Sequence, residues 1–247
     1  LENKVILITG GTGGIGAQIV SDFLEEQAIV VCLIRNQSKM GALLNKLKEK
    51  GVSTAKIHSY TCDLLNFDEI KSVVNTIHSK FETIDILVNC AGIVFESPLA
   101  LLDQKQIDMM LNLNLKSPIY LSQAVLRPMY KQKSGCIICV SSVSSVKKGR
   151  GITVYAAAKA GLENFTRTLA QEVGRKNIRV NCIRPGIIDT EMSEGLQERA
   201  ADLIKTQLSL GRAGLPVEIS KSVLFIASNE TASYITGESI TIDGGIY

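Results

Sequence analysis

Unbroken apolar runs recur along this chain, at residues 5–8 (Val-Ile-Leu-Ile), 29–34 and 135–140, with a nearly unbroken one at 84–88. A strand with one face in water alternates polar and apolar residues, whereas a strand buried on both faces reads as continuous apolar sequence. Continuous runs of strand length therefore predict a parallel sheet covered on both sides. Further strands are predicted at 56–60, 178–183 and 239–242, and helices at about 38–50, 66–80, 103–131 and 216–228, with others opening at Gly16 and around Tyr155. Strands alternating with helices of this length build parallel β-α-β units. The expected fold class is α/β: a Rossmann-type, doubly wound parallel sheet of about seven strands with helices on both faces. Ligands in such sheets bind beyond the carboxyl ends of the strands, where the strand order reverses. Residues just after each strand are therefore the candidates for chemistry.

At 247 residues the chain has a size that α/β folds reach as one domain. No internal repeat, low-complexity segment or linker divides it, so residues 1–247 are expected to form a single domain. Residues 187–210 read as an irregular insertion with a short helix, suited to a lid over a substrate. The 27 basic and 24 acidic side chains leave a net charge of +3, too weak and too evenly spread for a nucleic-acid or membrane surface. No apolar run approaches the length of a transmembrane helix, and Leu1-Glu2-Asn3-Lys4 leads straight into a strand. The expectation is a cytoplasmic protein acting on small molecules.

Six cysteines, at 32, 62, 90, 136, 139 and 182, are scattered, and four fall in predicted strands. They read as small buried hydrophobes. Cys136-Ile-Ile-Cys139 has the form of a redox or metal motif, but positions three apart in a strand point to opposite faces. Neither His58 nor His78 adjoins a second cluster of ligand-type residues, so no metal site is expected.

The first strand ends at Thr9-Gly10 and is followed by Gly11-Thr12-Gly13-Gly14-Ile15-Gly16 at the opening of a helix. A glycine motif is informative in that strand-to-helix context. Glycines let a pyrophosphate approach the backbone, and the helix start supplies free N–H groups and the positive end of the helix dipole. The second strand ends at Ile34-Arg35-Asn36. A carboxylate near this point would accept hydrogen bonds from the ribose of NAD, whereas an arginine accommodates the 2′-phosphate of NADP. Arg35, able to grip a phosphate with two N–H groups, favours NADPH. Asp63, Asn89 and Ser141-Ser142 stand at the ends of later strands. Asn114 lies inside a predicted helix, where its amide competes for backbone groups, and is expected to mark a kink.

In Tyr155-Ala156-Ala157-Ala158-Lys159 a phenol and an ammonium lie four residues apart in a segment of strong helix formers, so both face one site. A free phenol titrates near pH 10, and a nearby cation favours its ionised form. The pair makes Tyr155 a candidate proton donor. Taken alone, such a match is more often two surface neighbours on a helix.

Together these residues resemble the short-chain dehydrogenase/reductase family over essentially the whole chain. Thr9, Gly10, Gly14 and Gly16 meet its Thr-Gly-x-x-x-Gly-x-Gly loop, and Asn89, Ala91 and Gly92 meet its Asn-Asn-Ala-Gly, with Cys90 departing at the second position. The family's catalytic asparagine, serine, tyrosine and lysine fall on Asn114, Ser142, Tyr155 and Lys159, with Ser142 preceding Tyr155 by 13 positions. Pro185, Gly186, Ile188 and Thr190 match the segment that holds the nicotinamide carboxamide. The resemblance implies a cofactor site that also takes in Thr12, Gly13, Ile15, Arg35, Asp63, Leu64, Tyr155 and Lys159. It implies reduction of a carbonyl by hydride from the nicotinamide, with Tyr155 giving its proton to the forming alkoxide. Ser142 would hydrogen-bond the carbonyl oxygen. Lys159 would favour the phenolate and hold the nicotinamide ribose, and Asn114 would anchor a water linking Lys159 to solvent.

Within the family the chain is most similar to the 3-oxoacyl-acyl-carrier-protein reductases and acetoacetyl-CoA reductases. Residues 155–162, Leu210-Gly211-Arg212 and Ile235-Thr236-Gly237 carry that likeness. It implies NADPH-dependent reduction of a 3-oxoacyl thioester in fatty acid biosynthesis, a homotetramer, and docking of an acidic acyl carrier protein on Lys133, Arg175 and Lys176. An alternative with the same catalytic residues is an NADP-dependent reductase or dehydrogenase of a free ketone, sugar or steroid-like alcohol. A protein that binds NADPH without turnover is a third reading, against which the full catalytic set argues. Gly13 stands where many NADPH-using relatives carry a basic residue, which leaves more of the phosphate selectivity to Arg35. Lys147, Lys148 and Arg150 make the segment before Tyr155 unusually cationic, a feature suited to a phosphorylated or acidic substrate.

Overall fold

In the computed structural model, which describes residues 1–190, 204 and 206–246, the apolar runs are the strands of one parallel sheet. The chain runs β1 (Val5–Thr9), α1 (Gly14–Glu25), β2 (Ile29–Ile34), α2 (Gln37–Glu49), β3 (Ile57–Thr61), α3 (Phe67–Phe81) and β4 (Ile86–Asn89). It continues through α4 (Gln104–Leu111), α5 (Ser117–Gln132), β5 (Gly135–Val140), α6 (Thr153–Val173), β6 (Ile178–Pro185), α7 (Pro216–Ala227), α8 (Asn229–Ala232) and β7 (Ser239–Ile242). The seven strands lie in the order β3-β2-β1-β4-β5-β6-β7. The first three are laid down outward in one direction and the rest in the other, so the order reverses between β1 and β4. There Thr9 pairs with Asn89, and Asn89 with Cys139 on the far side.

Alternation along each strand divides the core into two layers. Ile6 and Ile8 pack with Ile19 and Phe23 of α1 and Ile219 and Val223 of α7. Val5 and Leu7 pack with Ile70 and Val74 of α3, Leu121 and Val125 of α5, and Leu162 of α6. Each helix lays one apolar stripe on the sheet. Cys136 belongs to the first layer and Cys139 to the second, as the strand period requires. Five of the six cysteines are buried and all are free thiols. Burial pushes the Cys32 thiol up to about 12. No helix among the described residues is long and apolar enough to cross a membrane.

Local polar groups set the element boundaries. Asn36, Asn66 and Asp103 each accept a backbone N–H at the start of α2, α3 and α4, and Asp103 forms a reciprocal capping box with Gln106. β4 begins two residues later than the apolar pattern suggests. Ile84 is held at both backbone groups by the Gln132 side chain, and Asp85 accepts the N–H of Val5 at 2.9 Å.

The single helix expected over 103–131 is interrupted by a π-turn at Asn112–Lys116. Asn114 is the cause. Its amide donates to Met110 O at 2.9 Å and competes for a carbonyl of the preceding turn. The expected kink is therefore one turn of wider winding, a feature that recurs at functional sites. Of the segment 187–210 expected to form a lid, residues 191–203 and 205 lie outside the described residues. Its flanks are anchored: Ile188 bridges to Gly214 and Leu208 to Ile246.

Candidate active site

The glycine turn joins β1 to α1 at the reversal point. Gly10 has a φ of +69°, and a Cβ there would lie 2.7 Å from Ala91 N. A Cβ on Gly16 would lie 2.1 Å from Gly10 O. These two glycines let the turn close on itself and on the end of β4. Thr9 Oγ1 completes that junction by accepting the N–H groups of Cys90 and Ala91 at 3.2 Å each. Gly13 differs, because the nearest atom to a Cβ there is 3.5 Å away. Its outer face is open, and it caps α1 without a side-chain hydrogen bond. Exposed Gly13 and Gly14 and half-buried Thr12 and Ile15 thus present a helix start whose first N–H groups, from Gly14 on, have no partner within the helix, while Gly13 N–H donates to Gly10 O at 3.0 Å. The residues present fit a diphosphate.

Other expected cofactor residues ring the same edge of the sheet. Arg35 is exposed at the end of β2, and among the described residues it has no side-chain hydrogen bond or ion pair. Asp63 follows β3, turned back on its own loop by accepting Leu65 N–H at 3.0 Å, with Leu64 half-buried beside it. Asn89 is buried at the end of β4, and its Oδ1 finds no donor among the described residues. After β6 and Pro185, Gly186 packs so tightly on Asp243 that a Cβ would sit 2.7 Å from it. Ile188 is buried, and Thr190 reaches across the sheet to Gly14, with its Cγ2 2.5 Å from a Cβ position there.

Ser142 caps a short turn at Val143–Ser145 after β5. Its Oγ accepts Ser144 N–H at 3.2 Å and lies 3.1 Å from Ser144 Oγ. Tyr155 and Lys159 stand one turn apart on α6, as their spacing demands. Lys159 is 4% exposed, its Nζ donates to Val140 O at 2.8 Å, and it lies 5.6 Å from the centre of the Tyr155 ring. The Tyr155 hydroxyl has no hydrogen-bond partner among the described residues.

Asn114 is tied by its side chain to the backbone on both sides. Its amide donates to Ile93 O at 2.7 Å and Met110 O at 2.9 Å, and Oδ1 accepts Ile93 N–H at 3.1 Å. Both amide hydrogens are engaged with backbone, so the side chain holds the segment after β4. That holds Gly92 between Asn114 and Lys159, where a Cβ would lie 2.8 Å from Asn114 Oδ1 and 3.5 Å from Lys159 Nζ.

Sequence reasoning missed Glu163 and Arg184. Glu163 Oε1 accepts from Ser141 Oγ at 2.7 Å, from Ser145 Oγ and from Arg184 Nε at 2.9 Å, while Oε2 pairs with Arg184 Nη2. Burial alone would push this carboxyl up. Hydrogen bonds from Arg184, Ser145 and Ser141, with the Arg184 charge, outweigh burial and hold it below the usual carboxylate range. One carboxylate therefore grips both flanks of Ser142 and ties them to β6. A signal existed: Tyr155, Lys159 and Glu163 follow one another at intervals of four and share one face of α6.

Lys133 and Arg175-Lys176 lie together elsewhere, just before β5 and β6, whose first residues Gly135 and Ile178 are paired. That is the amino end of the sheet. Lys176 is 21 residues beyond Tyr155 in sequence, roughly 30 Å along the direction of α6.

The chain matches the short chain dehydrogenase family over residues 4–201. It is 39% identical over 246 residues to 3-oxoacyl-acyl-carrier-protein reductases of Thermotoga maritima and Chlamydia trachomatis, covering 100% of this chain and 98% of each relative. With the Vibrio cholerae reductase of that name the identity is 37% over the same shares of the two chains. Among solved structures, a short-chain dehydrogenase/reductase from Brucella melitensis superposes with a TM-score of 0.91 at 30% identity, covering 100% of this chain and 98% of that one. A gluconate 5-dehydrogenase from Burkholderia cenocepacia, in complex with NADP and tartrate, gives 0.91 at 27% identity, over 99% of this chain and 95% of that one. Likeness spread over the full length, rather than confined to one or two motifs, shows that the chain belongs to the short-chain dehydrogenase/reductase family.

Proposed function

We propose that this oxidoreductase reduces the 3-oxo group of an acyl thioester, carried on acyl carrier protein or coenzyme A, to the 3-hydroxy form using NADPH. What supports the reading is Tyr155 and Lys159 one turn apart on α6, with Lys159 held at the end of β5 just before Ser142, in a chain 37–39% identical to 3-oxoacyl-acyl-carrier-protein reductases along its whole length. NADPH, when bound, supplies the hydride for the carbonyl carbon. The chain's own groups act on the oxygen. Ser142 Oγ turns its proton from Ser144 toward the substrate oxygen and stabilises charge as it develops there. Tyr155, whose hydroxyl is otherwise unengaged among the described residues, delivers the proton that completes the alcohol. Lys159, fixed by Val140 O, places a positive charge beside the phenol as it loses that proton. Asn114 would anchor a water linking buried Lys159 to solvent, and Lys159 would also hold the nicotinamide ribose.

For the cofactor, Thr12, Gly13, Gly14, Ile15 and Gly16 would hold the diphosphate, and Arg35 would grip the 2′-phosphate. Asp63 and Leu64 would flank the adenine, while Asn89, Ala91 and Gly92 with Pro185, Gly186, Ile188 and Thr190 would frame the nicotinamide half. Lys133, Arg175 and Lys176 can meet a carrier protein at this site only if another subunit of a homotetramer brings them to it.

The test is a steady-state assay of NADPH oxidation with acetoacetyl-CoA, run in parallel with NADH and with a panel of free ketones and sugars. The expected outcome is turnover of the thioester with NADPH strongly preferred. Silence on thioesters with turnover of a free ketone would move the protein to the alternative substrate class, and comparable efficiency with NADH would remove Arg35 from its role.

A further inference from the structure

Between the Ser142 turn and the Tyr155 helix lies Val146-Lys147-Lys148-Gly149-Arg150-Gly151, which exposes three cations within four residues. We propose that this loop binds the phosphate at the end of the pantetheine arm of the substrate, so that the enzyme selects phosphate-bearing thioesters. The inference rests on the thioester reading above and adds to it the group by which the carrier is recognised.

Placement comes first. Lys147 follows Ser142 by five residues and Arg150 precedes Tyr155 by five, so each Cα lies within about 18 Å of a catalytic residue even if the chain between were fully extended. An extended pantetheine arm separates a thioester from its phosphate by a comparable span. The other basic group, Lys133 with Arg175 and Lys176, lies at the amino end of the sheet and is out of reach within one chain.

Charge comes second. Four cations of the fold are paired with carboxylates: Lys4 with Asp85, Arg184 with Glu163, Arg212 with Glu218 and Lys221 with Asp22. Among the described residues, Lys147, Lys148 and Arg150 have no side-chain hydrogen bond or ion pair. Glu96 is the nearby acid, with its Cγ 3.3 Å from a Cβ position on Gly151, and it already has a partner of its own. Three adjacent like charges repel one another, and a bound phosphate would relieve that repulsion. Arg150 can offer two parallel N–H groups and the lysines two point charges.

Rigidity comes third. Lys147 N–H donates to Val143 O at 2.7 Å, and Ser97 N–H donates to Gly151 O at 2.8 Å. The backbone of the loop is thus pinned at both ends, to the serine turn and to the segment after β4.

The experiment measures initial rates at saturating NADPH for the native protein and for the triple variant Lys147→Gln, Lys148→Gln, Arg150→Gln. Three substrates share one acyl group: acetoacetyl-CoA, acetoacetyl-phosphopantetheine and the phosphate-free acetoacetyl-N-acetylcysteamine. Three exposed charge contacts predict a KM raised about tenfold for the first two, with the third unmoved. Native KM for the phosphate-bearing pair should also climb with ionic strength. An equal rise for all three substrates, a rise with the CoA thioester alone, or no rise at all would each overturn the proposal. Titration of free phosphopantetheine into both proteins separates the two layers of the argument. Binding weakened in the variant supports the phosphate site even if no thioester turns over, whereas equal binding overturns the site while leaving the reductase reading intact.

Discussion

Tyr155 is the proposed proton donor, and its surroundings set what a substitution should do. It is half-buried and its hydroxyl is unengaged among the described residues, so Tyr155→Phe removes one oxygen and leaves no donor stranded. Positioned proton transfer is typically worth about 10²–10⁴ in rate. The variant should lose turnover by roughly that factor while binding NADPH as before, because the glycine turn and Arg35 do not depend on the phenol. Stopped-flow turnover and cofactor fluorescence titration read the two quantities separately. Near-normal turnover would take Tyr155 out of the proton step. At this scale the sequence was informative: spacing alone put Tyr155 and Lys159 on one face, and strand ends singled out Ser142 and Asn89. The Glu163 pairing was not legible in the same way, because its partners Ser141, Ser145 and Arg184 are 22, 18 and 21 residues away. Only the fold brings them together.

Elements respond differently to the same change, and the glycine turn shows it. An alanine Cβ at position 16 would sit 2.1 Å from a backbone oxygen, whereas at position 13 it meets nothing closer than 3.5 Å. Overpacking against backbone costs about 1–3 kcal/mol. Gly16→Ala should therefore lower the denaturation midpoint, and Gly13→Ala should keep it while weakening NADPH binding by crowding the open helix start. Chemical denaturation and cofactor titration on both variants check the pair; equal loss of stability would refute the distinction. The Ser142 turn is held by the Glu163–Arg184 pair, and Glu163→Gln leaves Arg184 largely buried without its counter-charge. Breaking such a pair costs about 3 kcal/mol, the low end of the usual range because Arg184 keeps some access to water. The folded carboxyl titrates below its ordinary value near 4.5, so its contribution is fully present above that pH. It is lost as pH falls through the lower, folded value. Melting curves should separate native protein from Glu163→Gln at neutral pH and converge on the acid side of pH 4.5, and a constant gap across that range would be the wrong sign.

The whole molecule is a sheet whose working edge is assembled from strands far apart in sequence, and cofactor binding should be felt as global stability. Strand-and-helix alternation in the sequence was sufficient for the layers, and the strand period was sufficient to split Cys136 from Cys139. Which strands are neighbours was not, since the placing of β4 beside β1 depends on long-range pairing. The π-turn at Asn112–Lys116 was legible only as a kink at Asn114, since the sequence shows the competing amide but not that it takes the Met110 carbonyl. The assembled edge gives a prediction at this scale. Arg35 just after β2, Gly13 before α1 and Thr190 after β6 would all touch one dinucleotide, and Thr190 already packs on Gly14. A ligand that binds only the folded chain stabilises it by mass action, about 2.7 kcal/mol at a hundred times its Kd. For a chain of this size each kcal/mol moves Tm by about 2–4 °C, so saturating NADPH should raise the midpoint by about 5–11 °C. NADH at the same concentration should raise it by much less, since it lacks the phosphate that Arg35 would hold. Charge-assisted hydrogen bonds of that kind are worth about 1.5–3 kcal/mol, or roughly ten- to a hundredfold in Kd. Arg35→Leu should therefore bring the NADPH shift down to the NADH value while leaving the cofactor-free Tm in place, because exposed Arg35 supports nothing else among the described residues. Thermal melts of the two proteins with each cofactor decide it, and an NADPH shift that survives the substitution would place 2′-phosphate recognition elsewhere on the edge.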